Sequence, residues 1–160
     1  MTRFALTLAL LVATPALAQK DTDDTPSDPR VTRILDANDV IYSVESNGDY
    51  RMLYDTGDDR TQLVWISPLT HTVGAMEVRE VFSYVLEIDS SAPLPAGWAD
   101  KLLEYNSGYI FGAWSRDGER LAFSTKVDAD ATADDLLDMV SVVLSTADQV
   151  EFELTGTDDW

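Results

Sequence analysis

Two Gly-containing dipeptides, Asn47-Gly48 and Asp117-Gly118, constrain the fold most, because each lies between runs in which apolar and polar residues alternate. Such dipeptides favour the positive φ angles of a tight β-hairpin turn, and a period of two is typical of a strand with one buried face. The predicted strands are 40–44 and 50–54 in the first hairpin, and 110–115 and 120–127 in the second. The chain is therefore expected to contain antiparallel sheet.

Two more strands are predicted between the hairpins. One runs from Leu63 to Ile66 and ends near Pro68, after a polar turn at 55–59. The other is long and places its apolar side chains on one face and its polar side chains in water. The apolar set is Val78, Phe82, Tyr84, Leu86 and Ile88, and the polar set is Arg79, Ser83, Glu87 and Asp89.

Three helices complete the pattern. Ser27 or Asp28 can cap the first, with Pro29 in its opening turn and its end by Asn38. The second spans 98–106 or 98–108. A capping box of Thr132 and Asp135 opens the third, which continues toward Leu154 before Gly156 ends it. Its apolar face comprises Leu136, Leu137, Val140, Val143, Leu144 and Ala147.

This order of elements predicts an α+β fold, an antiparallel β-sheet meander with helices packed on one face. A parallel doubly wound sheet would need a crossover helix after every strand, and the sequence does not alternate in that way. A nucleotide-binding architecture is therefore not expected.

The amino terminus resembles a secretory signal peptide. Arg3 is followed by an uncharged apolar run over 4–13 and by the small residues Ala16-Leu17-Ala18. The run is shorter than the ~20 apolar residues that a transmembrane helix requires. We therefore expect cleavage near Ala18, a periplasmic or secreted mature protein, and no stable membrane insertion after cleavage. The predicted organisation is a signal peptide (1–18), a disordered acidic tether (19–29), a single domain (30–155) and an acidic tail (156–160).

Composition limits the partners. The formal charge of −18 disfavours contact with nucleic acid and with anionic lipid, so neither is an expected partner. A solvated acidic surface is the simplest interpretation, and a cationic protein or peptide remains an option. The absence of cysteine excludes disulfides, thiolate metal sites and a lipoprotein anchor.

Chemical motifs are scarce. His71 is the only histidine and no Gly-x-Ser-x-Gly elbow accompanies it, so we expect it to be structural or solvated. Asp128-x-Asp130-x-Thr132 begins like a calcium loop, but Ala133 and Met139 stand where the motif needs Gly and Glu. We therefore expect Asp130 and Thr132 to lead into and cap the last helix. No catalytic residue, metal or cofactor is predicted.

Aromatic residues are the remaining candidates for a site. Most should belong to the core, but any that lie on an uncovered sheet face would form an apolar binding groove. The candidate protein-binding residues are Trp65, Phe82, Tyr84 and Trp114.

The segments 102–106 (LLEYN) and 109–114 (YIFGAW) resemble the YbjN family of bacterial sensory transduction regulators. The later hairpin, the capped last helix, and the segments 62–67 and 78–81 extend the resemblance over 31–154. It implies a fold similar to type III secretion chaperones, often associated with dimerisation and protein binding. It also implies that Asn106 is a structural residue that ties off its helix. A chaperone role for secreted effectors is not implied, because this chain carries an export signal.

We therefore expect a non-enzymatic, exported binding or regulatory domain with a sensory or stress-related role. It would hold a protein or peptide by its sheet or an edge strand, and a homodimer is compatible with this. Two alternatives stay open. One is a cation-dependent hydrolase built on the acidic loops and His71, and the other is a periplasmic protein that binds a small ligand between sheet and helices.

Overall fold

The computed structural model describes residues 26–88 and 93–156, which form a six-stranded antiparallel sheet and three helices. The helices are α1 (Pro29–Ala37), α2 (Trp98–Gly108) and α3 (Ala133–Thr155). The strands are β1 (Ser43–Val44), β2 (Tyr50–Gly57), β3 (Arg60–Val73), β4 (Met76–Glu87), β5 (Ala113–Asp117) and β6 (Arg120–Asp128). The α+β prediction is confirmed.

The strand order is β1-β2-β3-β4-β6-β5. The first four strands form a meander, and α2 then carries the chain past the position of β6 to the sheet edge, where β5 begins. β6 returns between β5 and β4, antiparallel to both. The second hairpin is thus added to the sheet in reverse order, which no local sequence pattern reveals.

The three helices share one core with one face of the sheet, here called the covered face. Val31 and Leu35 of α1 and Leu102 of α2 belong to this core. From α3 the buried residues are Leu136, Val140, Val143, Ala147, Val150 and Glu151. The sheet contributes Tyr50, Met52, Val64, Ile66, Val81, Val85, Trp114, Leu121, Phe123 and Val127. The opposite side of the sheet is called the open face, because no described helix packs on it.

The predicted helix boundaries are confirmed at their caps. The carboxylate of Asp28 accepts a hydrogen bond from the backbone N–H of Arg30, and Pro29 is the first residue of α1. Thr132 Oγ1 accepts from the N–H of Asp135 at 3.2 Å and donates to its carboxylate at 2.7 Å. Gly156 ends α3 with φ +68°. These ends are set by local hydrogen bonds, which is why the sequence predicts them well.

The hairpin turns differ in detail from the prediction. At 45–49 only Gly48 has positive φ, and its N–H donates to the carbonyl of Glu45, so the connection is a three-residue loop. In the second hairpin Gly118 and Glu119 are the central residues, and only Gly118 has positive φ. The turn with two positive φ angles lies instead at Asp58 and Asp59, inside the segment predicted only as a polar loop.

β3 is longer than predicted. It continues from Arg60 through Pro68 to Val73, and the pairing with β4 shifts register between Ile66 and Thr70. Proline is tolerated in a strand at such an irregularity because no ladder hydrogen bond is needed there. The prediction that the strand ends near Pro68 is therefore wrong.

The predicted facing of β4 is also wrong over its first half. Arg79 and Ser83 are buried on the covered face together with Val81, whereas Phe82 and Tyr84 lie on the open face. A register shift between Tyr84 and Leu86 then brings Leu86 and Ile88 to the core side, as predicted. Both parities of β4 contain apolar residues, so alternation alone does not tell which face is covered.

A buried ion pair explains how Arg79 reaches the core. Its side chain is 1% exposed, and its Nη2 lies 2.7 Å from the carboxylate of Asp28. The guanidinium also donates to the backbone carbonyls of Ser67 and Ala129 at 3.3 Å. Arg30 binds the same carboxylate at 2.8 Å and extends the network to Glu77. The start of α1 is thereby fastened to β3, β4 and the segment that follows β6.

The predicted signal peptide (1–18), the tether up to residue 25 and residues 157–160 of the tail lie outside the described residues. The part of the tether that is described, 26–29, leads directly into α1.

Candidate functional site

The open face carries an aromatic cluster, here called the aromatic face, consisting of Trp65, Phe82 and Tyr84 with Leu53 and Leu63 beside them. Trp65 of β3 pairs directly with Phe82 of β4, and Tyr84 follows two residues later on the same side. Leu53 of β2 pairs with Leu63 of β3. Alternation along three neighbouring strands therefore brings these five side chains together.

The rings form a mutual packing arrangement. Trp65 and Phe82 are stacked, with centroids 5.7 Å apart and an interplanar angle of 10°. Tyr84 contacts both, at centroid distances of 5.4 Å from Trp65 and 5.3 Å from Phe82. Trp65 is only 7% exposed although none of the described helices covers it, because its neighbours shield it. Phe82 and Tyr84 are half-buried and Leu53 is exposed, so this face has apolar surface outside the core.

A shallow groove runs beside the two outer rings. Phe82 and Tyr84 form its wall, and small residues of β5 and β6 form its floor, with a volume of ≈ 270 Å³. Ser115 pairs with Ala122 across the two strands, and Ser124 follows on the same side. The ends of the groove are charged, with Glu80 at one end and Arg116 and Asp117 at the other.

Tyr84 also carries the main electrostatic interaction of this face. Its hydroxyl donates to the carboxylate of Asp117 at 2.8 Å, and the guanidinium of Arg120 lies over its ring at 4.7 Å. Burial and the bond to Asp117 raise the pKa of Tyr84 to about 12. The phenol is therefore a neutral hydrogen-bond donor at physiological pH and not a general base.

Beyond Tyr84 the surface is acidic. A second cleft of ≈ 390 Å³ is lined by Tyr84, Arg120 and the carboxylates of Glu87, Asp117 and Glu119. The aromatic wall therefore ends beside a group of three carboxylates and one guanidinium.

Trp114, the fourth predicted aromatic, lies on the other side of the sheet. It is 6% exposed, packs on Phe123 with centroids 5.2 Å apart, and its Nε1 donates to the hydroxyl of Tyr109. Its backbone N–H and C=O bond to the amide of Asn106 at 2.7 and 3.1 Å. Trp114 is thus a core residue, and Asn106 is structural because it ties α2 to the start of β5.

An apolar cleft of ≈ 410 Å³ lies between α2 and the sheet. Leu94, Leu102 and Leu103 line one side of it, and Trp114 and Leu121 line the other. Its lining provides few polar groups to orient a ligand, and the amide of Asn106 is already bonded to Trp114. This cleft is the place in the described residues that best suits the small-ligand alternative.

The residues considered for catalysis or metal binding are dispersed. His71 is exposed near the distal end of β3. Asp58 and Asp59 form the β2–β3 turn. The carboxylate of Asp128 accepts a hydrogen bond from the backbone N–H of Asp130, and the carboxylate of Asp130 accepts one from Arg30. Within 26–88 and 93–156, no three His, Asp or Glu side chains are grouped to hold a metal ion.

The sequence prediction missed the floor of the groove. Ser115, Ala122 and Ser124 drew no attention because small residues carry no chemistry of their own. A signal was nevertheless present, since small residues recur with a period of two at 113 and 115 and again at 122 and 124. Such a run on two strands that form one hairpin indicates a depression in the sheet surface.

Comparisons with known proteins give a likeness of fold and no match of sequence family. No family model matches the chain, and no curated protein matches it. Among solved structures the chain is similar to YbjN from E. coli, described as a proposed transcription regulator, with a TM-score of 0.46 and 12% sequence identity. The likeness covers 80% of this chain and 88% of that one. At these values membership of the YbjN family stays a prediction, as does the similarity to secretion chaperones.

None of the helices within the described part of the chain combines the length and the apolar character needed to cross a bilayer.

Proposed function

We propose that this protein is a non-enzymatic polypeptide-binding domain that holds a segment of a partner protein against its aromatic face. The observation that carries the proposal is the cluster of Trp65, Phe82 and Tyr84 on the side of the sheet that no described helix covers. Aromatic side chains dominate the energetics of protein interfaces, and Phe82 and Tyr84 are only half-buried on this face.

Charge specifies the partner further. The chain has a formal charge of −18, and the cleft beyond Tyr84 is lined by the three carboxylates of Glu87, Asp117 and Glu119 together with Arg120. Acidic surfaces attract basic partners over long range and repel acidic ones. The partner segment should therefore combine apolar side chains, which cover Phe82 and Tyr84, with Lys or Arg at its ends.

Export is part of the same proposal. The expected signal peptide would deliver the domain to the periplasm or the medium, where it would act as a binding or regulatory protein with a sensory or stress-related role. Edman sequencing of the protein from its native host tests this directly. A mature amino terminus near Gln19 supports export, and an intact Met1 in the cytosol contradicts it.

Binding is tested by affinity capture from the native host, with capture quantified for defined variants of the tagged chain. Ser115→Arg fills the groove from an exposed position on the edge strand, so folding should be preserved. We expect it to reduce recovery of a specific partner at least 10-fold. Phe82→Ala removes part of the aromatic wall and should act in the same direction.

Ile41→Ser is the matched control, because Ile41 is 89% exposed and lies away from the aromatic face. Each variant is first checked for an unchanged circular dichroism spectrum. A partner retained by Ser115→Arg and by Phe82→Ala but lost with Ile41→Ser would contradict the assignment of the binding face. A preparation that recovers no partner with any of the chains would contradict the function itself.

A small-ligand function is the second candidate, supported by the apolar cleft between α2 and the sheet. Leu103 lines this cleft and is 67% exposed, so Leu103→Lys can block it without disturbing the core. A fatty acid that raises the melting temperature of the wild type but not of Leu103→Lys would support this candidate. Equal shifts in both proteins would count against it.

A further inference from the structure

The second half of β6 has an open edge. β5 pairs with β6 only from Arg120 to Ser124, whereas β4 pairs with it as far as Asp128. Among the described strands, the stretch from Thr125 to Asp128 therefore has a neighbour on one side only. It is about 13 Å long at ~3.3 Å per residue.

Alternation shows which backbone groups face the open edge. The N–H of Ala129 donates to the carbonyl of Glu77 at 2.8 Å, so the odd-numbered residues here bond toward β4. The N–H and C=O of Lys126 and the N–H of Asp128 then point away from the sheet. The carbonyl of Asp128 is engaged by the N–H of Ala131 at 3.1 Å. Three backbone groups are thus presented to an added strand.

The chain before β5 turns away and leaves this edge uncovered. Gly112 has φ +81°, and a Cβ built on it would lie 2.6 Å from Cζ of Phe123 and 2.8 Å from the carbonyl oxygen of Ser124. Only glycine allows the backbone to cross β6 so closely and with this φ. Ile110 and Phe111, just before it, are 91% and 55% exposed.

Phe111 separates two clefts along the open edge. One, of ≈ 360 Å³, lies between 110–113 and 124–126. The other, of ≈ 300 Å³, reaches α3 and is lined by Met139 and by the carboxylates of Asp128, Asp135 and Asp138. Lys126 lines both, but its ammonium group is paired with Glu80. The edge therefore combines backbone donors and an acceptor, an apolar ridge and a negative rim.

We propose that the Thr125–Asp128 edge of β6 binds an extended basic segment of the partner protein by strand addition. Backbone hydrogen bonds to Lys126 and Asp128 hold the segment. Its apolar side chains, on one face of the added strand, lie against Phe111, and its Lys or Arg side chains, on the other face, point toward Asp135 and Asp138 of α3. This deepens the proposed function, on which it rests, by placing a second part of the same partner at a defined edge.

The probe is a fluorescein-labelled hexapeptide of alternating Lys and Val. A hexapeptide of alternating Lys and Pro carries the same charge, but it lacks the N–H of every second residue and its fixed Pro φ prevents a regular strand. A hexapeptide of alternating Glu and Val reverses the charge. Fluorescence anisotropy should show binding of the Lys-Val peptide and at least 10-fold weaker binding of the other two. The Lys-Val affinity should fall several-fold when salt is raised from 50 to 200 mM.

Lys126→Pro removes the outward N–H at a position where the ladder to β4 does not use it, and Lys126→Ala is the matched control without the ammonium group. We expect Lys126→Pro to lose peptide binding at least 10-fold, Lys126→Ala to retain it, and Asp135→Asn with Asp138→Asn to weaken it about 5-fold. Equal binding by Lys126→Pro and Lys126→Ala, or equal binding of the Lys-Val and Lys-Pro peptides, would overturn the proposal.

Two other outcomes separate this inference from the proposed function. A native partner that is lost with Ser115→Arg but retained with Lys126→Pro would support the aromatic face as the binding site and would overturn the proposal that the β6 edge binds it. A dimer that Lys126→Pro dissociates, together with no peptide binding, would make the edge an interface between two copies of the chain and would also overturn the proposal.

Discussion

The covered face of the sheet carries the polar side chains of Arg79, Gln62 and Ser83, whereas the open face carries the rings of Trp65, Phe82 and Tyr84. A simple binary pattern would place these two sets the other way round. The difference shows that β4 is oriented by its partners, since Arg79 is held by Asp28 and Ser83 by Gln62. Polar groups are accepted in the core where hydrogen-bond partners are present, and apolar rings that lie outside it are candidates for a binding surface.

The largest expected effect is at Arg79, because its replacement leaves the carboxylate of Asp28 with less compensation in a nearly buried site. We expect Arg79→Ala to lower the free energy of unfolding by about 3–5 kcal/mol. Arg33→Ala, at an exposed position of α1, should change it by less than about 0.5 kcal/mol. Urea unfolding measures both, and equal effects would remove the claim that β4 is oriented by the Asp28–Arg79 pair.

The next comparison uses one residue type on each face. Phe123 is fully buried on the covered face, so Phe123→Ala should cost about 3–5 kcal/mol. Phe82 is half-buried and stacked on Trp65 on the open face, so Phe82→Ala should cost about 1–2 kcal/mol. If Phe82→Ala proved as destabilising as Phe123→Ala in thermal unfolding, the aromatic face would be a second core and not a binding surface.

A smaller effect concerns the buried amide of Gln62. Its Nε2 donates to Ser83 Oγ at 2.9 Å and to the carbonyl of Tyr84, whereas its Oε1 has no hydrogen-bond partner among the described residues. Ser83→Ala alone should cost about 1–3 kcal/mol because it removes two hydrogen bonds, the one from Gln62 Nε2 to Ser83 Oγ and the one from Ser83 Oγ to the carbonyl of Leu63.

The double variant Gln62→Leu with Ser83→Ala removes both side-chain partners, so its stability should lie within about 1 kcal/mol of the wild type. A double-mutant cycle in urea gives the coupling energy. If the stability losses of the Gln62→Leu and Ser83→Ala variants simply add, the hydrogen bond between these two side chains does not explain why they are tolerated on the covered face.

The smallest effect is the acid response of the charged network. Burial raises the pKa of Asp28, but the bonds from Arg30 and Arg79 outweigh it, so the net shift is well below the usual range. The bond from Arg30 lowers the pKa of Glu77 to about 2. A lowered folded-state pKa gives stability that is present above the unfolded value near 4 and is lost as pH falls toward 2.

The urea midpoint should therefore be constant from pH 7 to about 5 and should fall below pH 4. Asp28→Asn with Glu77→Gln should flatten this fall, and Asp36→Asn with Asp39→Asn, which alters two exposed carboxylates outside the network, should leave it unchanged. A fall that is the same in both double variants would show that other carboxylates dominate the acid response.

The sequence predicts those parts of the fold that local hydrogen bonds determine. The caps at Asp28 and Thr132 and the end of α3 at Gly156 each depend on residues within four positions along the chain. The sequence did not predict that β6, and not β5, pairs with β4. Which strand of the second hairpin joins the sheet depends on how the hairpin packs with α2, and the turn sequence carries no information about that packing.

The candidate site was predicted in part, because the facing of a strand also depends on contacts between residues that are distant in the sequence. Trp65, Phe82 and Tyr84 come together on the open face, but Trp114 is in the core because its strand pairs it with Phe123. The residues near β4 in the sequence do not determine which of its side chains are buried, because Arg79 binds Asp28, a residue 51 positions away in the sequence. The open edge at Lys126 was missed because it follows from where β5 ends, which Gly112 and the packing of Phe123 determine.

The most direct test of the binding face is site-specific photo-crosslinking in the native host. para-Azidophenylalanine, which adds only a small azide to the phenylalanine ring, is placed at Phe82 and, as the exposed control, at Ile41. The crosslinked products are identified by mass spectrometry. The account predicts one discrete protein adduct from position 82 and none of that mass from position 41. The same adducts from both positions, or none from position 82, would contradict the claim that the aromatic face holds a partner.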